Sequence, residues 1–195
     1  MKRLTQRDKK EIASVLKKGG ILALPTETVY GLAVDLNNKS AINKLLELKQ
    51  RPVTSGKVLT LMLPDVNMLD QYAAPTRQMK NFARHFFPGE LTMIMPKNAK
   101  FTHHYFDNFN NIGIRIPNYG PLLDLLRSYG PLLVTSANPR GEESCRNYKE
   151  VLRRLPQIDA VVEGKAGNSL PSTIIDFTQE EPRVVRQGGL LVVHY

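Results

Sequence analysis

The sequence predicts an α/β protein, a single-domain twisted sheet of mixed parallel and antiparallel strands with flanking helices. Two observations predict this class. Segments with helical spacing of apolar residues alternate with short apolar runs, and several short strand candidates follow one another near the end of the chain. No internal repeat, low-complexity tract or long linker divides the 195 residues. A chain of this length suits one domain, so the predicted domain spans residues 1–195.

Five helices are predicted from apolar spacing and from the residues that end each segment. In the first, Ile12, Val15 and Leu16 recur on one helical face, and Gly19 and Gly20 end the helix. Proline or glycine also ends the next three segments, because neither residue continues a helix well. The predicted helices span residues 5–18, 39–49, 76–87, 119–129 and 147–155.

The predicted strands are short apolar runs that end at proline, at glycine or at a polar turn. The run "ILAL" stops at Pro25, and the runs "LTMIMP" and "NIGIRIP" both end at proline. The predicted strands span residues 21–24, 57–64, 91–96, 111–117, 131–138, 159–164, 172–178, 183–188 and 190–195. For the last range two alternatives stay open, an edge strand or a segment that closes over a site.

Composition indicates a folded protein with anionic partners. Hydrophobic residues make up 42% of the chain and charged residues 23%, as in ordinary globular domains. The formal net charge of +9 favours nucleotides, phosphates or RNA, without choosing among them. The single cysteine, Cys145, excludes an internal disulfide framework and fits a reducing compartment. No apolar run approaches the roughly 18 residues that span a bilayer, so we expect a cytoplasmic protein without a membrane segment.

Polar clusters follow three predicted strands, at residues 25–31 ("PTETVYG"), 135–138 ("TSAN") and 170–176 ("LPSTIID"). Ligands of open α/β sheets gather beside strand ends, and small hydroxyl and amide side chains can hydrogen-bond a ligand there. The same residue types are also common in turns. Each cluster alone therefore leaves a turn and a binding site as alternatives, and the three together favour a binding site.

The stretch "LKQRPVTSGKV" at residues 48–58 resembles a phosphate-binding loop at first sight. That motif needs a glycine five residues before Gly56 and a serine or threonine after Lys57, and the chain has Arg51 and Val58 at these positions. Two hypotheses remain for Lys49 and Arg51. They compensate the dipole at the end of the second helix, or they hold phosphate groups.

Arg115 lies inside the apolar run "IGIRIP" and is expensive to bury without a partner. A carboxylate or phosphate of a ligand would supply that partner, and a structural ion pair would serve equally well.

Patterns for metal binding and covalent catalysis are weak. His103 and His104 are adjacent, so on a strand they would point to opposite faces. Cys145 has no base linked to it by a motif, and no G-x-S-x-G sequence occurs. A covalent hydrolase is therefore disfavoured, and a reaction in which positioned substrates attack one another is favoured.

The ordered set "LPTETVYGLAVD", "LKQRP", "FPGELTMIMP", "IGIRIP", "LLVTSAN" and "PSTIID…VVRQG" resembles the YrdC-like family from about residue 10 to residue 189. The chain is similar to the short members of the family, without the additional C-terminal domain of the longer ones. The resemblance implies a YrdC-like fold in which the twisted sheet carries a concave, positively charged cleft.

The resemblance also implies an activity. Members of the family make threonylcarbamoyl-AMP and pyrophosphate from L-threonine, bicarbonate or CO2, and ATP with Mg2+. Partner proteins then transfer the threonylcarbamoyl group to an adenosine of tRNAs that decode ANN codons. Affinity for tRNA or double-stranded RNA is implied as well.

Site residues follow from the resemblance, position by position. Lys49 and Arg51 match the catalytic K-x-R element that holds ATP phosphates, with Mg2+ held through those phosphates and not by a protein metal site. The remaining implied ATP contacts are Ser136, Asn138 and Arg186. The implied threonine contacts are Thr26, Arg115, Ser172 and Thr173, with Tyr30 in the pocket wall.

Two positions depart from the family pattern. Ser55 replaces the lysine or asparagine of many relatives, and Thr60 replaces a histidine that some longer members place near threonine. Lys57 is a candidate to compensate for Ser55. Two other functions stay open from the residues, an RNA-binding module and a related enzyme that acts on another small molecule.

Overall fold

The computed structural model describes residues 1–50, 59–167 and 170–192. Ten strands form one sheet in the order β1-β8-β2-β3-β7-β4-β6-β5-β9-β10. Their bounds are β1 Lys2–Leu4, β2 Leu22–Leu24, β3 Gly31–Asp35, β4 Thr60–Met62, β5 Leu91–Pro96, β6 Asn111–Arg115, β7 Leu132–Ser136, β8 Ala160–Val162, β9 Thr173–Asp176 and β10 Arg183–Arg186.

Strand pairing is both parallel and antiparallel. The pairs β1–β8, β2–β8, β4–β6 and β5–β9 are parallel, whereas β2–β3, β3–β7, β4–β7, β5–β6 and β9–β10 are antiparallel. The predicted fold class is therefore confirmed.

Six α-helices lie in the described part of the chain. They are α1 Lys9–Lys17, α2 Lys39–Leu48, α3 Leu69–Tyr72, α4 Arg77–Phe86, α5 Gly120–Tyr129 and α6 Tyr148–Arg154, with 3₁₀ turns at Val66–Met68 and Phe106–Asn108. None of these helices is long and apolar enough to cross a membrane.

The two faces of the sheet are packed by different helices. Apolar residues of α1 and α5, among them Leu16 and Leu122, share one buried cluster with strand residues such as Leu22 and Val134. The larger cluster on the opposite face includes residues of α2, α4 and α6, such as Leu45, Phe82 and Val151. Because side chains alternate along a strand, each central strand contributes to both faces.

Most predicted elements are present, with shifted ends. The first helix begins at Lys9 and not at residue 5, because Asp8 accepts hydrogen bonds from the backbone nitrogen (2.6 Å) and the hydroxyl (2.7 Å) of Thr5 and forms a turn there. Gly130, with a φ of 118°, follows the last residue of α5 as predicted. Of the strand predicted at 190–195, residues 190–192 are not in a strand, and residues 193–195 lie outside the described residues, as do residues 57 and 58.

β1, β3 and α3 were not predicted from the sequence. β1 is a short edge strand with two basic residues. Among the described residues it pairs only with β8, which lies about 160 residues away in the chain. β3 follows a polar segment directly and pairs with a strand on each side. Both strands depend on distant partners, so local patterns did not indicate them.

Candidate functional site

A cavity of about 640 Å³ lies on the same face of the sheet as α1 and α5. Its floor consists of alternate residues of five neighbouring strands, whose sequence neighbours pack into the core on the other face. The floor residues are Thr60, Met62, Thr92, Ile94, Asn111, Gly113, Arg115, Val134, Ser136, Ile174 and Asp176. The three polar clusters of the sequence analysis all contribute residues to the lining of this cavity.

Gly113 keeps part of the floor flat. Of the atoms in the described part of the chain, a Cβ atom added there would meet only the Cγ2 atom of Thr92 within 4 Å, at 3.8 Å. A side chain at position 113 would therefore project into the cavity without disturbing the sheet.

The segment between β2 and β3, which we call the 25–30 loop, is held by its own threonines. The Thr26 hydroxyl donates to the carbonyl oxygen of Val29 (2.7 Å) and accepts from the backbone nitrogen of Thr28 (3.0 Å). The hydroxyls of Thr26 and Thr28 also lie 2.9 Å apart in a hydrogen bond. Both threonines are buried and line the cavity, so this loop is a rigid wall with an internal polar network.

Arg115 forms a buried ion pair with Glu27 of the 25–30 loop. Its Nη2 atom donates to Glu27 Oε1 (2.8 Å) and to the Thr28 hydroxyl (2.9 Å), and only 5% of Arg115 is exposed. The backbone nitrogen of Asn118 donates to the same Glu27 oxygen (2.9 Å). The buried Arg115 therefore has a partner within the protein, which is one of the two alternatives that the sequence left open. A contact between Arg115 and a ligand remains a prediction.

Lys49 ends α2 and extends to the segment after β7, which we call the 135–138 turn. Its Nζ atom donates to the carbonyl oxygens of Ser136 (2.9 Å) and Asn138 (2.6 Å) and to Asn138 Oδ1 (2.9 Å). Lys49 is 2% exposed. The Ser136 hydroxyl also donates to Asn138 Oδ1 (2.7 Å). The structure thus brings Lys49, Ser136 and Asn138 together, as the family resemblance implies.

On the opposite side of the cavity, Arg186 and Ser172 are joined. Arg186 donates to the carbonyl oxygen of Ser172 through Nε (3.1 Å) and Nη2 (2.8 Å), and through Nη2 to its hydroxyl (3.1 Å). The hydroxyls of Ser172 and Thr92 lie 2.9 Å apart. Thr173 is not a lining residue, because its hydroxyl donates to the carbonyl oxygen of Leu190 (2.7 Å) on the core side.

Tyr30 is fully buried and belongs to the lining of the cavity. Its hydroxyl donates to the carbonyl oxygen of Val162 (3.0 Å), and burial raises the pKa of the phenol. The backbone nitrogen of Tyr30 donates to the carbonyl oxygen of Cys145 (2.9 Å). Burial also raises the pKa of the Cys145 thiol. Tyr30 is thus placed where the sequence analysis expects a wall residue.

Arg51, Ser55 and Lys57 lie outside the described residues, so their predicted roles stay predictions. Thr60, the other departure from the family pattern, lies on the cavity floor.

Two acidic residues near the cavity were missed by the sequence analysis. Glu27 and Asp176 both belong to polar clusters that the analysis singled out, "PTETVYG" and "LPSTIID". Period-2 alternation from Ser172 would have placed Asp176 on the same face as the predicted serine. The partner of Glu27 is 88 residues away, and no local pattern indicates that contact.

An open sheet face with convergent hydroxyl, amide and guanidinium groups is typical of proteins that bind a small polar ligand. Comparison with known proteins narrows this broad class to one family. Residues 14–188 match the profile of the Sua5/YciO/YrdC family, described as telomere recombination. The chain therefore belongs to the Sua5/YciO/YrdC family, and the resemblance noted in the sequence is confirmed.

Solved structures agree with this assignment. Sua5 of P. abyssi in complex with L-threonine superposes with a TM-score of 0.86 at 25% identity, over 97% of this chain and 57% of that chain. E. coli YciO superposes with a TM-score of 0.85 at 27% identity, over 96% of this chain and 94% of that chain. MTH1692 of Methanobacterium thermoautotrophicum gives 0.72 at 28% identity, over 94% and 88% of the two chains. The chain thus spans little more than half the length of the Sua5 protein.

Proposed function

We propose that the protein is an L-threonylcarbamoyladenylate synthase, an ATP-dependent nucleotidyltransferase. It would form threonylcarbamoyl-AMP and pyrophosphate from L-threonine, bicarbonate or CO2, and ATP. One observation carries the proposal, namely that a family member crystallised with L-threonine shares this fold over 97% of the chain. The cavity adds support, because threonine is a small polar zwitterion and the lining combines hydroxyls with guanidinium groups.

Threonine would bind between the 25–30 loop and Ser172, where Thr26, Arg115 and Ser172 line one cavity. The nucleotide would lie along the 135–138 turn and reach Arg186. Lys49 is already held against Ser136 and Asn138, so its charge lies next to the groups that would contact phosphate. Arg51, two residues later, would complete the phosphate site.

The reaction needs no protein nucleophile. The neutral amine of threonine would add to CO2 and lose a proton, which gives a carbamate. A carbamate oxygen would then attack the α-phosphorus of ATP, the bond to the β-phosphate oxygen would break, and pyrophosphate would leave. Lys49, Arg51 and the Mg2+ that enters with ATP would stabilise the negative charge on the phosphates. A recessed floor would protect the labile carbamate from water.

The product would serve tRNA modification. Threonylcarbamoyl-AMP is an activated acyl group, and transfer proteins would pass it to the adenosine of ANN-decoding tRNAs. In this proposal the protein acts in the cytoplasm, and any direct affinity for tRNA accompanies catalysis.

Pyrophosphate release from ATP tests the proposal, with threonine and bicarbonate each omitted in turn from degassed buffer. We expect release only when both are present, and threonylcarbamoyl-AMP as the nucleotide product. D-Threonine serves as the matched control for stereospecific binding. Release that needs neither substrate, or no release together with tight RNA binding, would contradict the proposal and favour one of the alternatives left open by the sequence.

A further inference from the structure

His103 and Tyr105 lie in the segment that joins β5 to β6, directly before the 3₁₀ turn Phe106–Asn108. The rings of His103 and His104 pack against each other with their centroids 4.3 Å apart, and this part of the chain is not a strand. The two histidines therefore do not point to opposite faces of a sheet. The proposed function gives this segment no role so far.

The hydrogen bonds of His103 fix the form of its imidazole ring. Nε2 donates to the carbonyl oxygen of Leu36 (2.8 Å), because a carbonyl oxygen can only accept. Nδ1 accepts from the backbone nitrogen of Tyr105 (3.2 Å). These two contacts require a neutral ring with its proton on Nε2. A second proton would have to enter between Nδ1 and the N–H group of Tyr105.

The side chain of Tyr105 extends this connection to β4. Tyr105 is buried, and its hydroxyl accepts from the backbone nitrogen of Leu59 (2.8 Å). Leu59 is also buried and directly precedes β4. A buried N–H group is costly to leave without an acceptor, so the Tyr105 hydroxyl fixes the start of this strand.

The two anchored residues, Leu36 and Leu59, enclose one stretch of the chain. Leu36 precedes α2, Leu59 follows it, and the sequence between them contains Lys49 and Arg51, the K-x-R element. The two side chains that anchor this stretch are only two positions apart. Because fixed ends reduce the conformational freedom of the chain between them, the anchors restrict where the K-x-R element can lie.

The charged and titratable groups around His103 include His104, Asp107 of the 3₁₀ turn, Lys97 after β5 and Lys39 at the start of α2. Asp107 Oδ1 accepts from the backbone nitrogen of His103 (2.9 Å) and from Lys97 Nζ (3.4 Å). Burial, with smaller contributions from His103 and Lys39, lowers the pKa of His104. Protonation of His103, in contrast, would break a hydrogen bond that the structure shows.

We propose that neutral His103 positions the K-x-R element through Tyr105 and thereby makes the binding of ATP depend on pH. This inference rests on the proposed function, which assigns the phosphates of ATP to Lys49 and Arg51. At high pH, Nδ1 of His103 accepts from Tyr105, and the Tyr105 hydroxyl holds Leu59. As the pH falls, a proton on Nδ1 removes the first of these hydrogen bonds, Tyr105 loses its orientation, and ATP binds more weakly. His103 is thus a positioning residue.

Two replacements of His103 each keep one of its hydrogen bonds. His103→Asn keeps an acceptor for the backbone nitrogen two residues later, as in an Asx turn, and cannot be protonated. His103→Gln keeps a donor for Leu36 but loses the Nδ1 acceptor.

Titration calorimetry with ATP and Mg2+ compares these variants from about pH 8 to about pH 5, the range in which histidines commonly titrate. Over this range the wild type should lose about 10-fold more affinity than His103→Asn, as expected when a buried hydrogen bond is broken. The titration of ATP itself cancels in this comparison. His103→Gln should bind ATP at high pH as weakly as the wild type does at low pH.

Tyr105→Phe removes the hydroxyl that holds Leu59 and keeps the ring. It should weaken ATP binding about 10-fold at every pH, and the addition of His103→Gln should cause no further loss, because both changes act through one contact. The affinity for L-threonine should stay unchanged in all of these variants. His104→Gln is the matched control and should bind both ligands as the wild type does.

The wild-type protein tests the connection without any substitution. In nitrogen–proton correlation spectra recorded without ligand, the backbone signal of Leu59 should shift with the same midpoint as the His103 ring. This shift should vanish in His103→Asn. A merely structural role of His103 would not couple the two signals.

The inference is overturned if the Leu59 signal does not follow His103, if the wild type and His103→Asn lose ATP affinity equally as the pH falls, or if Tyr105→Phe binds ATP as the wild type does. Equal losses of ATP and threonine affinity would also overturn it, since Phe109 and Asn110 line the cavity and a disturbed rim would affect both ligands. Wild-type protein that binds no ATP even at high pH would instead overturn the proposed function, and the inference with it.

Discussion

Lys49 and Arg115 are both buried cations, and the protein holds them in different ways. Arg115 lines the cavity, whereas Lys49 contacts Ser136, which lines it. Lys49 donates to three neutral oxygens of the 135–138 turn. Arg115 donates to a carboxylate, Glu27, and to one hydroxyl. Neutral oxygens orient a charge without cancelling it, whereas a carboxylate cancels most of it.

This difference separates two uses of a buried cation. The Lys49 contacts hold its ammonium group against Ser136 and Asn138, where the proposed function places phosphate. The Arg115 arrangement suits a group that fixes the 25–30 loop over the floor and contributes only its remaining N–H groups to a ligand. Four substitutions test this distinction, from the largest expected effect to the smallest.

Arg115→Met should lower the free energy of unfolding by about 3–5 kcal/mol, because Glu27 would be left buried without its partner. The double variant Glu27→Gln, Arg115→Met should be less destabilised, since no charge remains buried. Arg127→Met removes an exposed pair with Asp124 and should cost less than about 1 kcal/mol. Urea unfolding measures all three, and equal losses for the single and double variants would refute the loop-fixing role.

Lys49→Met should lower kcat/KM for ATP by about 100-fold, because a positive charge at the phosphate site would be lost. The control is Lys44→Met, an exposed lysine on the same helix, which should leave the rate unchanged. Steady-state pyrophosphate release is the measurement. If Lys49→Met affects only the KM for threonine, the assignment of the phosphate site to the 135–138 turn is wrong.

Gly113→Val tests the floor between the two cations. Valine is well tolerated in a strand, and its side chain would enter the cavity. Overpacking typically costs about 1–3 kcal/mol, so the affinity for threonine should fall about 10-fold. Gly113→Ala should show a smaller loss. Gly120→Ala, where an added Cβ meets nothing within 4 Å, is the matched control, and a loss of affinity there would show that glycine replacement alone disturbs binding.

Thr28→Val should have the smallest effect, a loss of about 1 kcal/mol in the free energy of unfolding. It removes the Thr28 hydroxyl as an acceptor of Arg115 Nη2 but keeps the Glu27 carboxylate. Thermal unfolding of Thr28→Val and of Arg115→Met compares how much the Thr28 hydroxyl and the Glu27 carboxylate each contribute to stability. A larger loss for Thr28→Val would mean that the threonine network, and not the ion pair, fixes the loop.

Local patterns predicted much of the fold, since most strands and all five predicted helices occur near their expected positions. They also indicated three of the polar clusters that line the cavity. They did not indicate Glu27 as the partner of Arg115, nor the contact of Lys49 with Ser136, because 88 and 87 residues separate these partners. Contacts of that range depend on which strands lie side by side, and β1 and β3 were missed for the same reason.

The sequence by itself determined the fold class, the family and the residue types at the site, because apolar periodicity and ordered motifs are properties of the chain. The tertiary structure decided which charged groups are neutralised and which face the ligand. Arg115 turned out to be paired within the protein, Thr173 to face the core, and Asp176 to face the cavity. The physical reason is that strand register and loop folding set distances and directions between side chains, and the strength of electrostatic interactions depends on those distances.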